Sequence, residues 1–377
     1  MKNVIQKIIQ HQQIDEIFKY AISDLYTQGP ISITTLEILS YLYLYEFEKF
    51  QEYNPHILKY MGLSYKNIKT EALPDIVFGM YEKYIQSEFQ YSYTPVQANI
   101  VKGIEQNKCF SFSAPTSTGK SFVFRNIISS TNKDVVIVVP SRALINEYYF
   151  KITEAIPNKN VNILTFIDKI NTKPANRNIF IVTPERCKEL FKHKNAFDIE
   201  YFLFDEAQLS NESSNRGLYF DSIVRRIQSS YPDAKFIFAH PFVSNPEAQI
   251  KKNHFDANAS MALQYKHKNV GQIFYAYDNE KYYHFGIDKD IMGNRKIECS
   301  FDPIEKALNN NGSVLIYTTK SSIYNKKVFT DFKKYIDQCT TIKDREANKI
   351  IEHVKNYLGA NETKEKVLEI IKALAKL

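Results

Sequence analysis

Between residues 109 and 240 the sequence alternates short apolar runs with segments of helical periodicity, and this alternation constrains the fold most. The apolar runs are CFSFSA, DVVIVVP, VNILTF, NIFIVTP, YFLFDEA and KFIFAHP, with segments such as SFVFRNIISS and GLYFDSIVRRIQSS between them. Runs that are apolar at almost every position predict strands buried on both faces, as in a parallel sheet covered by helices. Ligands bind beyond the carboxyl ends of such strands, so the polar residues there are the candidates for function.

Three regions are predicted along the chain. Residues 1–88 carry apolar residues at helical spacing, which predicts an N-terminal helical segment. Residues 89–255 form the α/β domain. In residues 256–377, GQIFYAYDNEKYYHFGID predicts a β-hairpin, SVLIYTTK at 313–320 predicts the first strand of a second α/β domain, and ETKEKVLEIIKALAKL predicts a helix. One such strand cannot close a domain, so we expect the second one to be incomplete.

Composition excludes several classes of protein. With 377 residues, 44% of them hydrophobic, the chain is neither disordered nor a disulfide miniprotein. Its four cysteines form no CxxC and its eight histidines no HxxxH, which argues against a zinc site and fits a reducing, cytoplasmic compartment. No apolar run is long enough for a membrane span, and the N-terminus lacks a signal-peptide core. The net charge of +7 permits a polyanionic partner.

The strongest candidate site is APTSTGKS, which matches the pattern [AG]-x4-G-K-[ST] between the strand CFSFS and the helix SFVFRNII. Backbone N–H groups of such a loop bind phosphate oxygens at a helix N-terminus. Lys120 would contact the β- and γ-phosphates, and the Ser121 hydroxyl would ligate Mg²⁺, so the pattern predicts ATP and Mg²⁺ as cofactors. The predicted loop consists of Ala114, Pro115, Thr116, Ser117, Thr118, Gly119, Lys120 and Ser121.

A second candidate, YFLFDEAQ, places two carboxylates directly after an apolar run. Asp205 would hold Mg²⁺ through water, and Glu206 would orient and deprotonate the attacking water. Gln208 would contact the γ-phosphate region or couple it to the next strand. An Asp-Glu pair alone would mean little, and it gains its meaning from the phosphate-binding loop before it.

These motifs, in this order, resemble the first RecA-like domain of superfamily-two DExD/H-box helicases over residues 90–250, with DEAQ in place of DEAD or DEAH. YTPVQ resembles the motif whose glutamine, Gln97 here, contacts adenine. VVPSRAL and IVTPER resemble nucleic-acid-contacting motifs, which implies phosphate contacts by Arg142, Thr183 and Arg186. Each of these three alone would also fit a surface ion pair. The Arg216-Gly217 pair is similar to the branch of exosome-associated RNA helicases and archaeal repair helicases.

The sequence also departs from that family. Ala239-His240-Pro241 stands where the family has Ser-Ala-Thr, which bears on the coupling of hydrolysis to strand movement. LIYTTK resembles the first strand motif of a second RecA-like domain, but nothing resembles the QxxGRxGR arginine-finger motif. We therefore expect the N-terminal portion of a longer helicase, or one completed by another chain.

The resemblance implies an ATP-dependent helicase or translocase that binds single-stranded DNA or RNA without sequence preference. The alternatives are a motor that moves along duplex without unwinding it and a non-catalytic, nucleotide-responsive nucleic-acid-binding module. A P-loop kinase would leave VVPSRAL, IVTPER and DEAQ without a role. DNA or RNA, polarity and pathway stay open, with antiviral defence or repair as the expected setting.

Overall fold

A computed structural model describes residues 2–63, 73–157, 160–167, 177–193, 196–268, 270–285, 297–310, 312–319, 321–322 and 325–338. The chain divides into two units, residues 1–272 and residues 273–377. The helix predicted over ETKEKVLEIIKALAKL lies outside the described residues.

The first unit holds a helical N-terminal segment and an α/β domain. Its helices are α1 (Lys2–Ile9), α2 (Ile14–Gln28), α3 (Ile33–Tyr45), α4 (Phe47–Tyr60), α5 (Leu73–Phe89), α6 (Pro95–Gln106), α7 (Lys120–Ser130), α8 (Arg142–Ala155), α9 (Pro184–Cys187), α10 (Asn215–Ser230) and α11 (Ala248–Lys252). Its strands are β1 (Cys109–Ser113), β2 (Asp134–Val138), β3 (Val161–Leu164), β4 (Arg177–Val182), β5 (Ile199–Phe204), β6 (Lys235–His240) and β7 (Ser260–Gln264). The helices predicted for the N-terminal segment and the six predicted strands are confirmed.

The seven strands form one sheet in the order β3-β4-β2-β5-β6-β1-β7. Every pairing in it is parallel. The carboxyl ends of all seven strands therefore lie at one edge, and the loops that follow them meet there.

Helices cover both faces of the sheet, and side chains alternate between the two cores. On β2, Val135 and Ile137 pack into the core formed with α6, α7 and α8. Val136 and Val138 pack into the opposite core, which includes residues of α10. Because successive strand residues point to opposite faces, a strand with two buried faces must be apolar throughout. The predicted α/β architecture is confirmed.

Two helices next to the sheet begin at side-chain caps. Thr94 accepts a hydrogen bond from the Gln97 backbone N–H, and the Gln97 side chain accepts one from the Thr94 backbone N–H, which is a capping box at α6. The Ser141 hydroxyl accepts from the Leu144 backbone N–H at the start of α8. These caps fix where the helices begin relative to the ends of the strands.

The sheet extends past the boundary predicted at residue 255. Strand β7 pairs with β1 from Cys109↔Ser260 to Ser113↔Gln264, so residues 260–264 belong to the sheet. The chain then returns to the helical segment, where the Lys268 backbone N–H donates to the Pro30 carbonyl at 2.8 Å. The division at residue 272 lies after this return.

The second unit contains a three-stranded antiparallel sheet. Its elements are β8 (Phe274–Asp278), β9 (Lys281–Phe285), β10 (Ile297–Glu298), α12 (Pro303–Asn309), α13 (Lys327–Asp331) and α14 (Lys333–Ile336). Strands β8 and β9 confirm the predicted hairpin. The strand predicted over residues 313–320 is wrong for residues 313–319, which belong to no sheet, and Leu315 and Tyr317 are almost fully exposed. An apolar run forms a strand only where a neighbouring strand pairs with its backbone.

Within the described part of the chain, no helix combines the length and the apolar character needed to span a bilayer.

Candidate functional site

The loop after β1 is the one that the sequence predicts to bind phosphate, and it is called the phosphate-binding loop below. Residues Thr116–Thr118 form a 3-10 turn, Gly119 follows with φ of +78°, and α7 begins at Lys120. A Cβ atom at Gly119 would lie 2.5 Å from Nε2 of Gln97. Both the left-handed backbone and the close approach of Gln97 therefore require glycine at this position.

Lys120 is buried at the centre of this loop, with 6% of its surface exposed. Its ammonium group donates to the carbonyl of Ala114 at 2.8 Å and to that of Pro115 at 3.4 Å. Burial lowers the pKa of Lys120, and the negative charges of Asp205 and Glu206 oppose that effect. The cation and the two carboxylates thus lie close enough to influence one another.

Asp205 follows β5 and is buried, with its carboxylate held on two sides. Oδ2 accepts a hydrogen bond of 2.7 Å from the hydroxyl of Tyr148, and Oδ1 accepts one of 3.0 Å from the Glu206 backbone N–H. Burial raises the pKa of Asp205, and the hydrogen bond from Tyr148 opposes that rise. Burial raises the pKa of the Tyr148 phenol, and the nearby Ser121 side chain opposes that rise.

Tyr148 therefore lies beside both residues predicted as Mg²⁺ ligands, a position that could not be predicted from the sequence. It lies in the middle of α8, in the aromatic-rich stretch NEYYF, where helical periodicity predicts a core residue. Its partners lie 27 and 57 residues away along the chain. No local motif encodes such a contact.

Glu206 has a left-handed backbone with φ of +53°, which is uncommon for a residue with a side chain. Its half-buried carboxylate accepts a hydrogen bond of 2.5 Å from Nε2 of Gln208. Strained backbone of this kind concentrates at functional sites, where the surrounding structure maintains it.

Gln97, the predicted adenine contact, is buried at the first turn of α6. Its Oε1 accepts from the Thr94 backbone N–H at 3.0 Å, and its Nε2 donates to the Thr118 carbonyl at 2.9 Å. Gln97 thus ties the start of α6 to the phosphate-binding loop. Both the oxygen and the nitrogen of its carboxamide are therefore hydrogen-bonded within the protein.

The remaining loop residues frame this centre. Ala114 is fully buried, and its backbone N–H donates to the carbonyl of His240 at 3.0 Å. Thr118 is buried and donates through its hydroxyl to the Pro115 carbonyl at 2.7 Å. Thr116 is exposed, and the side chain of Ser117 is not among those that the structure describes. Among the described residues, no three His, Cys, Asp or Glu side chains cluster in a way that could hold a metal ion.

The segment Ala239-His240-Pro241 lies beside the phosphate-binding loop, because Ser113 and His240 are paired in the sheet. The His240 ring is buried, and its Nε2 lies 3.2 Å from the Ser111 hydroxyl oxygen. Burial, together with the charges of Lys252 and Lys120, lowers the pKa of His240 to about 4. The ring is therefore neutral at pH 7.

The three residues predicted to contact nucleic acid follow neighbouring strands, at the carboxyl edge of the sheet. Arg142 starts α8 after β2, and Thr183 and Arg186 follow β4, which pairs with β2. Both arginines are exposed. Arg186 donates to the Thr165 carbonyl at 2.8 Å, which turns it toward the loop after β3.

Arg216 joins the two loops that carry these residues. Its Nε donates to Glu185 at 2.8 Å, and it also donates to the carbonyl of Pro140, next to the start of α8. Burial acts to raise the pKa of Glu185, but hydrogen bonds from Thr183 and Arg216 hold it below its usual value. Arg216 thus positions the surface that Arg142 and Arg186 share.

Comparison with known proteins agrees with this geometry. Residues 94–239 match the family model described as DEAD/DEAH box helicase. The matched segment runs from Thr94, the cap of α6, to Ala239 in β6 and contains every predicted site residue. The predicted resemblance is confirmed at the level of this domain, and the branch within the superfamily stays a prediction.

Among solved structures, the chain is similar to a hypothetical ATP-dependent RNA helicase from Sulfolobus tokodaii, with 17% sequence identity and a TM-score of 0.36. That similarity covers 48% of this chain and 56% of the other, so this chain spans little more than half the length of that structure. No curated protein matches the chain.

Proposed function

We propose that this chain, in which residues 94–239 match the DEAD/DEAH box helicase model, is an ATP-dependent motor that acts on nucleic acid as a helicase or translocase. One observation carries the proposal. Lys120 is buried where α7 begins after β1, and the buried Asp205 and the half-buried Glu206 follow β5, so one cation and two carboxylates lie at the carboxyl edge of the same parallel sheet, where ligands bind.

The residues around Ser121 fit a hard divalent cation. The Ser121 hydroxyl and the Asp205 carboxylate are oxygen ligands of the kind that Mg²⁺ prefers, and Tyr148 donates a hydrogen bond to Asp205. When bound, Mg²⁺ would neutralise charge on the β- and γ-phosphates. Lys120 would contact the same phosphates, and Glu206 would accept the proton of the attacking water.

Residues at the same edge of the sheet support the binding of single-stranded nucleic acid without sequence preference. Arg142 and Arg186 are exposed on adjacent strand ends, and Arg216 ties their loops together. Contacts to phosphates position a nucleic acid without selecting its sequence. We propose that the partner is single-stranded DNA or RNA. We also propose that the protein is cytoplasmic and acts in antiviral defence or repair. A second helicase half, in the same chain or in a partner protein, would complete the motor.

A non-catalytic nucleotide-responsive module is the second candidate. It is favoured by His240, which is buried against Ser111 where helicases of this family carry a small hydroxylated motif. In that case nucleotide binding would change the affinity for nucleic acid without turnover.

The test is steady-state ATPase activity with and without single-stranded DNA or RNA, followed by a strand-displacement assay. A motor gives turnover that nucleic acid stimulates and that Lys120→Ala abolishes. ATP binding without turnover supports the module instead. Absence of ATP binding, measured by calorimetry, contradicts both.

A further inference from the structure

The turn that carries Glu206 is held by α11, a short helix that follows β6 and lies outside the matched residues 94–239. The 3-10 helix Ala207–Asn211 begins directly after Glu206, and the Leu209 backbone N–H donates to the Glu206 carbonyl at 3.1 Å. Contacts that hold this 3-10 helix in place therefore also hold the backbone of Glu206.

Ser210 is the residue of the 3-10 helix that bonds to α11. Its hydroxyl accepts a hydrogen bond of 2.6 Å from Nζ of Lys252 and donates one of 3.0 Å to Oε1 of Gln249. Lys252 also forms an ion pair of 3.1 Å with Asp221 of α10. Because the Ser210 hydroxyl both accepts from and donates to the same helix, α11 fixes its position and its orientation.

The Gln249 side chain lies in a place where an apolar residue would pack at lower cost. Gln249 is buried, with 2% of its surface exposed, and its Nε2 has no hydrogen-bond partner within the described part of the chain. A buried polar atom without a partner is costly, and such atoms call for an explanation. The acceptor that Gln249 offers to Ser210 accounts for a carboxamide at this position.

The beginning of α11 is attached to β1, the strand that leads into the phosphate-binding loop. The buried Ser111 hydroxyl donates to the Pro246 carbonyl at 2.7 Å, and the same carbonyl accepts from the Gln249 backbone N–H at 3.3 Å. Since β1 ends at Ser113 and the loop begins at Ala114, α11 connects the strand before the loop with the turn that carries the candidate base.

We infer that Ser210, Gln249 and Lys252 are positioning residues for Glu206, because they fix the turn from which Glu206 would accept the proton of the attacking water. The inference rests on the proposed function and extends the site beyond the matched residues. The left-handed backbone of Glu206, with φ of +53°, needs surrounding structure to maintain it, and the contacts with α11 supply that support.

The experiment measures kcat for ATP hydrolysis and, separately, ATP affinity by calorimetry. It uses the full chain with Mg²⁺ and a single-stranded DNA or RNA oligonucleotide. Ser210→Ala should lower kcat about 10- to 100-fold, since a small displacement of a catalytic group has effects of this size. ATP affinity should be unchanged, because the phosphate-binding loop is not altered. Ser210→Thr, which retains the hydroxyl, should keep most of the wild-type kcat.

Two adjacent lysines of α11 provide a matched control. Lys252 bonds to Ser210, whereas Lys251 pairs with Glu247 of its own segment at 3.0 Å. Lys252→Met should lower kcat as Ser210→Ala does. Lys251→Met should leave kcat and ATP affinity unchanged.

A double variant separates positioning from a general structural role. If Ser210 acts through Glu206, then Ser210→Ala should have little further effect on kcat in a protein that already carries Glu206→Gln. A defect that only weakens the fold would lower kcat by the same factor with either residue at position 206.

The outcomes separate the inference from the proposed function. A wild-type kcat in Ser210→Ala, the same fractional loss in the Glu206→Gln protein, or a parallel loss of ATP affinity would each overturn the inference and leave the proposed function intact. Equal losses in Lys251→Met and Lys252→Met would also overturn it. Absence of ATP turnover by the wild type would overturn both proposals.

Discussion

The hydroxyl of Tyr148 donates a hydrogen bond of 2.7 Å to Oδ2 of Asp205, and the Ser121 side chain is near enough to affect the pKa of the same phenol. One buried phenol thereby links the first turn of α7 to the end of β5. Ser121 and Asp205, the two residues predicted to ligate Mg²⁺, thus both lie beside a tyrosine that belongs to a third element, α8.

Tyr148→Phe should therefore destabilise the protein and weaken its response to Mg²⁺. The change leaves the buried Asp205 carboxylate without one donor, which costs about 1–3 kcal/mol. It also removes an interaction that lowers the pKa of Asp205. Urea unfolding and Mg²⁺ titration of ATP binding measure the two effects. The neighbouring, more exposed Tyr149→Phe is the control; equal behaviour of the two variants would contradict the assigned role.

Gly119→Ala should remove nucleotide binding and lower stability by about 1–3 kcal/mol, since it combines a positive φ with a close contact to Gln97. Gly79→Ala is the matched control. Gly79 lies in α5, and a Cβ there would meet nothing within 4 Å. That control should be neutral or stabilise by up to about 1 kcal/mol. Calorimetry with ATP and urea unfolding test both variants, and a Gly119→Ala protein with normal ATP affinity would count against the loop conformation.

Glu206→Gln should keep ATP bound and slow turnover by about 10²–10⁴-fold, because the amide cannot accept the proton of water. Glu212→Gln, a few residues on at an exposed position, is the control. The measurement is ATPase activity beside ATP affinity for each protein. Normal hydrolysis by Glu206→Gln would mean that another group is the base.

Arg142→Ala should weaken binding to single-stranded nucleic acid of any sequence and reduce the salt dependence of binding, because one phosphate contact is lost. Arg225→Ala is a suitable control, since Arg225 bonds to the carbonyl of Asp221 within α10. Fluorescence anisotropy at several salt concentrations gives both quantities. An unchanged salt slope for Arg142→Ala would exclude a phosphate contact there.

Stability should fall as the pH drops from 7.5 to 5, in part through His240. Its pKa is about 4 in the folded protein against 6.5 ordinarily, so the unfolded chain binds the proton first and acid favours unfolding. Between these pH values the contribution is about 2 kcal/mol. His240→Gln should lose less stability than wild type over the same interval in urea unfolding. Parallel losses in the two proteins would show that other groups carry the pH dependence.

The parallel sheet could be predicted because its strands are buried on both faces and are therefore apolar throughout. Strand β7 escaped prediction since its residues, SMALQ, are half-buried or exposed at the sheet edge and mix polar with apolar types. The opposite error occurred at residues 313–319, where Leu315 and Tyr317 are apolar but exposed. A local sequence pattern predicts the burial of a strand well only when that strand lies in the centre of the sheet.

The candidate site also has features that could be predicted from the sequence and features that could not. The pattern of Gly119, Lys120 and Ser121 predicts a turn followed by a helix, and the structure has that local conformation, with a positive φ at Gly119 and a helix from Lys120. The Tyr148 contact with Asp205 spans 57 residues and depends on how α8 packs against the sheet. The hydrogen bonds of Arg216 to Pro140 and Glu185 are of the same long-range kind. Contacts of this type follow from the folded arrangement and leave no periodic signal.

The pairing of β7 with β1 has a practical consequence for dissecting this protein. A fragment cut at residue 255, where the sequence suggests a boundary, would lack β7 and turn β1 into an edge strand. The five residues of β1 would then present unpaired N–H and C=O groups along an apolar strand, a template for intermolecular pairing. Such a fragment should aggregate, and the phosphate-binding loop, which begins where β1 ends, would be lost with it. Fragments meant to retain the nucleotide site need to continue past Lys268, where the chain has returned to the helical segment.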